Sequence, residues 1–127
     1  MSFINILKEL THVSGATGAV MLDWEGEIVA DYSTSEGLEL DLIGAHHGII
    51  LDIIKEAAAC HYDGHKAHSN GLRVSSVIIS TGGLRLIIST LKDNYYLVVT
   101  MPRSKGLASR AAYNSGKAVM KLEKEMG

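Results

Sequence analysis

The sequence predicts one α/β domain whose elements run α-β-β-α-β-β-β-α. Apolar residues recur at helical spacing near both ends and through the middle of the chain, the period of helices that bury one side. Between them lie five short runs rich in strand-forming residues. Turns of a few residues join the last three runs, too short for a crossover, so these strands pair antiparallel.

Ser2 is placed to cap a first helix, because its hydroxyl can accept from an otherwise unpaired N–H of the first turn. Phe3, Ile6, Leu7, Leu10 and Val13 then form one stripe, so the helix spans residues 3–13, and Ser14-Gly15-Ala16-Thr17-Gly18 breaks it. Ala19 to Asp23 and Glu27 to Tyr32 read as two strands around Asp23-Trp24-Glu25-Gly26. Gly26 supplies the positive φ that a tight hairpin needs. Trp24 in that turn has two readings: an anchor for a partner, or a ring folded back over its own hairpin.

After the polar loop Ser33 to Gly37, a long helix is expected from Leu38 to Tyr62. Its apolar residues fall in two stripes. One is Leu40, Ile43, His47, Ile50, Ile54 and Ala57; the other is Leu42, Ile49, Ile53 and Cys60. A helix lying on one face of a sheet needs a single stripe, so the second calls for another partner. Gly64 and Asn70-Gly71 mark the next loop. Arg73 to Ser80, Leu84 to Lys92 and Tyr95 to Met101 are the last three strands, with turns at Thr81-Gly82-Gly83 and Lys92-Asp93-Asn94. Val77-Ile78-Ile79 and Leu86-Ile87-Ile88 are apolar at successive positions, which calls for cover on both faces of the sheet. Pro102 ends the last strand. Leu107, Ala111, Ala118 and Leu122, with Ala108, Ala112 and Val119 beside them, trace a final helix. Lys117, Lys121 and Lys124 fall toward its C-terminal end, where cations suit the helix dipole. Neither a linker nor a repeat divides residues 1–127, so a single domain is expected.

Composition narrows the function classes. Hydrophobic residues make up 46% and charged residues 20%, a globular balance that excludes disorder. The formal charge of -2 offers no electrostatic footprint for nucleic acid. No apolar run reaches the roughly 20 residues of a membrane span, and Met1 to Asn5 lacks the basic start of a signal peptide. Cys60 is the only cysteine, so no internal disulfide forms, and a cytoplasmic, reducing compartment is expected.

Catalytic signatures are missing. There is no G-x-S-x-G elbow, and Gly116-Lys117 lies in a helical pattern with Ala111 and Ala118 where a phosphate loop needs glycine and serine or threonine. His61, His65 and His68 resemble a zinc constellation, but Gly64 breaks the helical face that an i, i+4 pair requires. His47 lies on an apolar stripe and reads as a packed or interface histidine. Arg73, Arg85, Arg103 and Arg110, the only arginines, read as surface charges. No catalytic, cofactor or metal residue is therefore assigned.

The whole chain resembles the Roadblock (dynein light chain) family, in its prokaryotic MglB-like branch. The resemblance is carried by Leu7-Lys8-Glu9-Leu10, by Gly15-Ala16-Thr17-Gly18-Ala19-Val20 and by Asp23-Trp24-Glu25-Gly26-Glu27-Ile28-Val29-Ala30. Val77-Ile78-Ile79-Ser80, Leu86-Ile87-Ile88 and Asp93-Asn94-Tyr95-Tyr96-Leu97-Val98-Val99 extend it through the last three strands. It implies a five-stranded antiparallel sheet with the long helix on one face and the terminal helices on the other. It also implies a homodimer whose sheets join edge to edge while the two long helices pack together. Leu40, Ile43, His47, Ile50, Ile54, Ala57 and Val77 are the expected dimer or partner interface. Family members regulate or scaffold small Ras-like GTPases, in the MglB branch a GTPase of the MglA type. The expected function is thus a dimeric binding module for such a GTPase, without a catalytic site of its own. The alternative is a light-chain-like scaffold with no GTPase partner.

The broken helical face yields a first prediction. Calorimetry with zinc is expected to show no tight stoichiometric binding; tight binding lost in His65→Ala would make the histidine cluster a metal site.

Overall fold

A computed structural model describes residues 2–34, 76–80, 84–102 and 108–127. Residues 38–62 and the histidine cluster lie outside these. The elements are α1 (Phe3–Ser14), β1 (Gly18–Leu22), β2 (Ile28–Ser33), β3 (Ser76–Ser80), β4 (Leu84–Thr90), β5 (Tyr96–Pro102) and α2 (Ala108–Met126).

Helix α1 begins and ends where its caps dictate. The Ser2 side chain accepts from the Asn5 N–H at 3.2 Å, as its position at the start of the stripe predicts. Gly15 closes the helix with φ of 67°, and the N–H groups of Gly15 and Ala16 both turn back to the Thr11 carbonyl. Ile6, Leu7 and Leu10 are buried and Val13 is half exposed, so the expected stripe faces the core except at its last turn.

The five strands form one antiparallel sheet in the order β2-β1-β5-β4-β3. Strand β5 is central, pairing β1 from Leu22–Tyr96 to Gly18–Thr100 and β4 from Leu84–Pro102 to Thr90–Tyr96. One face carries Ala19, Met21, Ile87, Leu97, Val99 and Met101 against Ile6, Leu7 and Leu10 of α1 and Ala111, Ala118 and Leu122 of α2. The other face carries Val20, Leu22, Leu86, Ile88, Tyr96 and Val98, also buried, with Val77 and Ile79 packed beside them. Both terminal helices lie on the same face, as expected. Each large side chain removed from water in these cores is worth about 1.5–3 kcal/mol.

The limits of β1, β2, β4 and β5 differ by a residue or two from the sequence expectation, and turn chemistry explains where β1 and β4 end; residues 73–75 of the expected third strand lie outside the described residues. Asp23 ends β1 early because it belongs to the turn: its N–H donates to the Glu27 carbonyl at 2.9 Å. Its carboxylate accepts from the N–H groups of Glu25 and Glu27 at 2.8 and 3.0 Å. Gly26 supplies φ of 84° and donates to the Asp23 carbonyl. The register then jumps from Met21–Ala30 to Leu22–Ile28, leaving Val29 as the extra residue of a bulge. Strand β4 stops at Thr90 rather than Lys92 because Asp93 and Asn94 both take positive φ, 60° and 61°. Paired positive φ values twist a tight hairpin with its strands, and Asp and Asn tolerate them at little cost.

The fold generates two stability predictions, both read by urea titration. Leu97→Ala is expected to cost about 2–5 kcal/mol, because it empties a fully buried position in the central strand. Asp23→Ala is expected to cost about 1 kcal/mol by removing the turn's two-fold acceptor.

Candidate functional site

The described residues present surfaces rather than a cleft. Between α1 and α2 runs a groove of about 170 Å³, lined by Ile6, Glu9, Leu10, Val13, Lys117 and Lys121 among others. Small-molecule pockets run to about 300–1,000 Å³, so this groove is too small for one. The half-exposed Glu9–Lys121 ion pair lies on it at 3.3 Å and joins the two helices. Such a pair contributes about 0–1 kcal/mol. Among the described residues no three His, Cys, Asp or Glu side chains come together as a metal site, and no helix is long and apolar enough to cross a membrane.

The two sheet edges differ. Strand β3 is short and alternates, with Ser76, Ile78 and Ser80 exposed and Val77 and Ile79 half buried. Its apolar side chains on one face continue the second core, through Val77–Ile88 and Ile79–Leu86. Strand β2, at the other edge, carries the bulge together with exposed Ile28, Val29 and Asp31. At the end of the sheet nearest the β1–β2 turn, Trp24 meets Tyr95 edge-on, with ring centroids 5.7 Å apart. Tyr95 follows the β4–β5 turn, so Trp24 reaches across to the neighbouring turn, and it remains 57% exposed. That turn is in turn tied to α2. The Lys92 N–H donates to the Glu123 carboxylate and its ammonium to the Gly127 carbonyl, both at 2.7 Å.

No family model and no curated protein matches this sequence. Solved structures do. A Roadblock/LC7 domain from Streptomyces avermitilis superposes with a TM-score of 0.81 at 18% identity, over 97% of this chain and 96% of that one. The fold is the Roadblock fold. An MglB with a tetrameric arrangement reaches the same TM-score at 14% identity, over 96% of this chain and 85% of that one. Myxococcus xanthus MglB reaches 0.74 at 11% identity, over 98% and 94%. At such identities the likeness establishes the Roadblock architecture and leaves function to be argued from the surfaces.

On the Roadblock sheet, Val77 is the one expected interface residue within the described set, half buried at the β3 edge. Leu40, Ile43, His47, Ile50, Ile54 and Ala57 lie outside it, as do Arg73 and Arg103. Arg85 is half buried on β4 and Arg110 is exposed on α2. His12 packs its ring 6.4 Å from Tyr32. Sequence reasoning missed the Trp24–Tyr95 contact, which joins residues far apart in the chain. It also missed the exposure of Tyr113 and Met120 on α2, although both fall opposite the Ala111, Ala118 and Leu122 stripe, which was signal enough.

A prediction follows from the half-exposed state of Trp24. Trp24→Ala is expected to cost no more than about 1 kcal/mol in a urea titration, since the ring leaves no enclosed cavity. Leu22→Ala, two residues earlier and fully buried, is expected to cost about 2–5 kcal/mol.

Proposed function

We propose that this chain is a dimeric binding module that regulates or scaffolds a small Ras-like GTPase of the MglA type. The observation that carries the proposal is whole-length likeness to two MglB structures, at TM-scores of 0.81 and 0.74. The geometry agrees with a binding role: the described residues build faces and edges, and their groove is too small for a substrate.

The dimer is proposed to form through residues 38–62 and the β3 edge. Two apolar stripes on one helix exceed what covering a sheet face requires. Leu40, Ile43, His47, Ile50, Ile54 and Ala57 are the stripe assigned to the partner, with Val77 at the adjoining edge. Withdrawing Ile43, Ile50 and Ile54 of both protomers from water contributes about 1.5–3 kcal/mol for each side chain. The GTPase is proposed to sit across both protomers, because the joined sheet and paired helices are the largest composite surface of such a dimer.

Any acceleration of GTP hydrolysis is proposed to occur without an arginine finger. A finger needs a side chain free to enter the partner's site and is worth roughly 10³–10⁵ in rate. Arg85 is half buried within β4 and Arg110 belongs to helix α2, so neither is on a loop that reaches outward. Arg73 and Arg103 lie outside the described residues, and Arg103, which follows Pro102 in the sequence, is proposed to be a solvated surface charge. The remaining route is differential affinity for the GTPase switch segments in their hydrolytic arrangement.

A second reading, a light-chain-like scaffold without a GTPase, is favoured by the equal TM-score of the Streptomyces Roadblock/LC7 domain. Co-purification separates the two: a small GTPase retained in at least one nucleotide state supports the first reading, and none in either state supports the second. Under the first reading, Ile50→Asp is expected to abolish the dimer by light scattering and to reduce single-turnover hydrolysis strongly, while Arg103→Ala changes it little. A thousandfold loss in Arg103→Ala with the dimer intact would overturn the finger-free mechanism.

A further inference from the structure

The chain's charge is divided along its length. No lysine or arginine occurs between Lys8 and Lys55, and the β1–β2 hairpin falls inside that stretch. Its residues 23–31 hold Asp23, Glu25, Glu27 and Asp31 with no compensating cation. Asp23 is occupied within the turn, but Glu25, Glu27 and Asp31 are exposed, and beside them stand the exposed side chains of Trp24, Ile28 and Val29. Tyr95 meets Trp24 edge-on, so the two rings are not stacked face to face.

Helix α2 has the opposite character. Opposite its buried Ala111, Ala118 and Leu122, the outward stripe at spacings of three and four reads Arg110, Tyr113, Lys117, Met120, Lys121 and Lys124. Tyr113 and Met120 are 65% and 72% exposed, the largest exposures among the bulky apolar side chains described. Lys117 lies 4.8 Å over the Tyr113 ring, and Lys121 is partly neutralised by Glu9. Arg110, Lys117 and Lys124 remain as the cations of this stripe. Glu123 and Glu125 fall to its sides, about 60° or more from these residues around a helix of 3.6 residues per turn.

We propose that the hairpin of one copy docks on the α2 stripe of a second copy. Three exposed carboxylates face three cations, and each charged set surrounds exposed apolar side chains, Trp24, Ile28 and Val29 on one side and Tyr113 and Met120 on the other. The lengths agree: the fifteen residues of helix from Arg110 to Lys124 are separated by fourteen steps of 1.5 Å and span about 21 Å. Five or six extended residues of the hairpin span roughly 17–20 Å. The Trp24 ring, more than half exposed, is suited to a guanidinium or ammonium, an attraction available within about 6 Å of a ring centroid. Because the two surfaces differ, the contact is heterologous: each copy offers one hairpin and one stripe, so contacts propagate into a ring or an open array. A hairpin against one helix face is a small contact, of the class below about 1,200 Å² that forms transiently. The contact uses neither residues 38–62 nor β3, so it stands or falls separately from the dimer proposed above.

Sedimentation velocity of the full chain tests it. Wild type is expected to show species heavier than its basal unit that grow with concentration at low salt. They should disappear near 1 M salt, where the screening length falls to about 3 Å. Glu25→Lys with Glu27→Lys gives a hairpin-reversed variant, and Lys117→Glu with Lys124→Glu a helix-reversed variant. Each alone is expected to stay at the basal mass. Mixed together they are expected to recover a heavier species, because the reversed hairpin of one complements the reversed helix of the other. Trp24→Ala is expected to weaken the wild-type association at least about tenfold, as loss of an aromatic anchor does. Association unchanged by salt, a wild type of constant mass, or two reversed variants that do not combine would each overturn the proposal. Ile50→Asp, which targets the proposed dimer, is expected to lower the basal mass while leaving the salt-dependent growth in place.

Discussion

The structure depends on burying β5 on both faces. Tyr96, Leu97, Val98, Val99, Thr100 and Met101 are successive residues, and all are buried. Alternation sends Leu97, Val99 and Met101 into the core beneath α1 and α2, and Tyr96 and Val98 into the core on the opposite face. A strand so placed has no side to show water, so its neighbours must be apolar in the same alternation. They are: Ala19 and Met21 of β1 and Ile87 of β4 share one core, while Val20, Leu22, Leu86 and Ile88 share the other. The central place of β5 also explains its one polar residue. The buried Thr100 hydroxyl lies 3.1 Å from the Thr17 hydroxyl, while the Thr100 carbonyl receives the Thr17 N–H at 2.9 Å. An unpaired hydroxyl there would carry a desolvation penalty of about 1–3 kcal/mol.

With the centre so constrained, variation is left to the rims. At one end of the sheet the two hairpin turns meet through Trp24 and Tyr95, and the β4–β5 turn is held to the last residues of α2 through Lys92. Charged and aromatic side chains of both turns and of the helix end are thereby gathered at one end of the sheet. The edges are treated differently. Strand β2 is guarded against further strand pairing by its bulge and by Asp31, since an extra residue and an outward carboxylate disrupt a ladder. Strand β3 carries no such guard among the described residues: it alternates cleanly and has no charged side chain. An edge of that kind is suited to pairing, and one of the opposite kind to contacts made by side chains.

Legibility in the sequence follows the range of the interaction. Helix α1 is legible because both its caps, Ser2 and Gly15, are local and its stripe is periodic. The turns at Asp23 to Gly26 and at Asp93-Asn94 are legible as turns. Their hydrogen bonds are not, so β1 and β4 end earlier than composition suggests. The strand count and the shared face of the terminal helices were also open to sequence reasoning, through period and family resemblance. Pairing across the chain was not. Nothing near Trp24 in sequence marks Tyr95 as its neighbour, because β1 and β5 are brought together only by the sheet order. The expected interface rests on residues 38–62, outside the described residues, and at Val77 the structure supplies half burial at an edge.

Fold likeness and surface chemistry carry different parts of the functional argument. The constraint on β5 is met by any set of apolar residues with the correct alternation and volume. This is why a Roadblock/LC7 domain at 18% identity and an MglB at 14% superpose equally well. A feature so tolerant of substitution cannot select one partner over another. Selection requires groups whose replacement changes affinity without changing the fold, and those lie where β5 imposes nothing: the acidic hairpin, the cationic stripe of α2 and the unguarded β3 edge. Trp24 is the clearest instance. Its ring contributes little to either core and keeps more than half its surface in water, next to carboxylates that repel one another. In a monomer that arrangement gives the fold little, since like charges on one hairpin repel and an exposed indole leaves apolar surface in water. A partner that brings cations and covers the ring relieves both costs at once, which is the condition that the proposed contact of the hairpin meets.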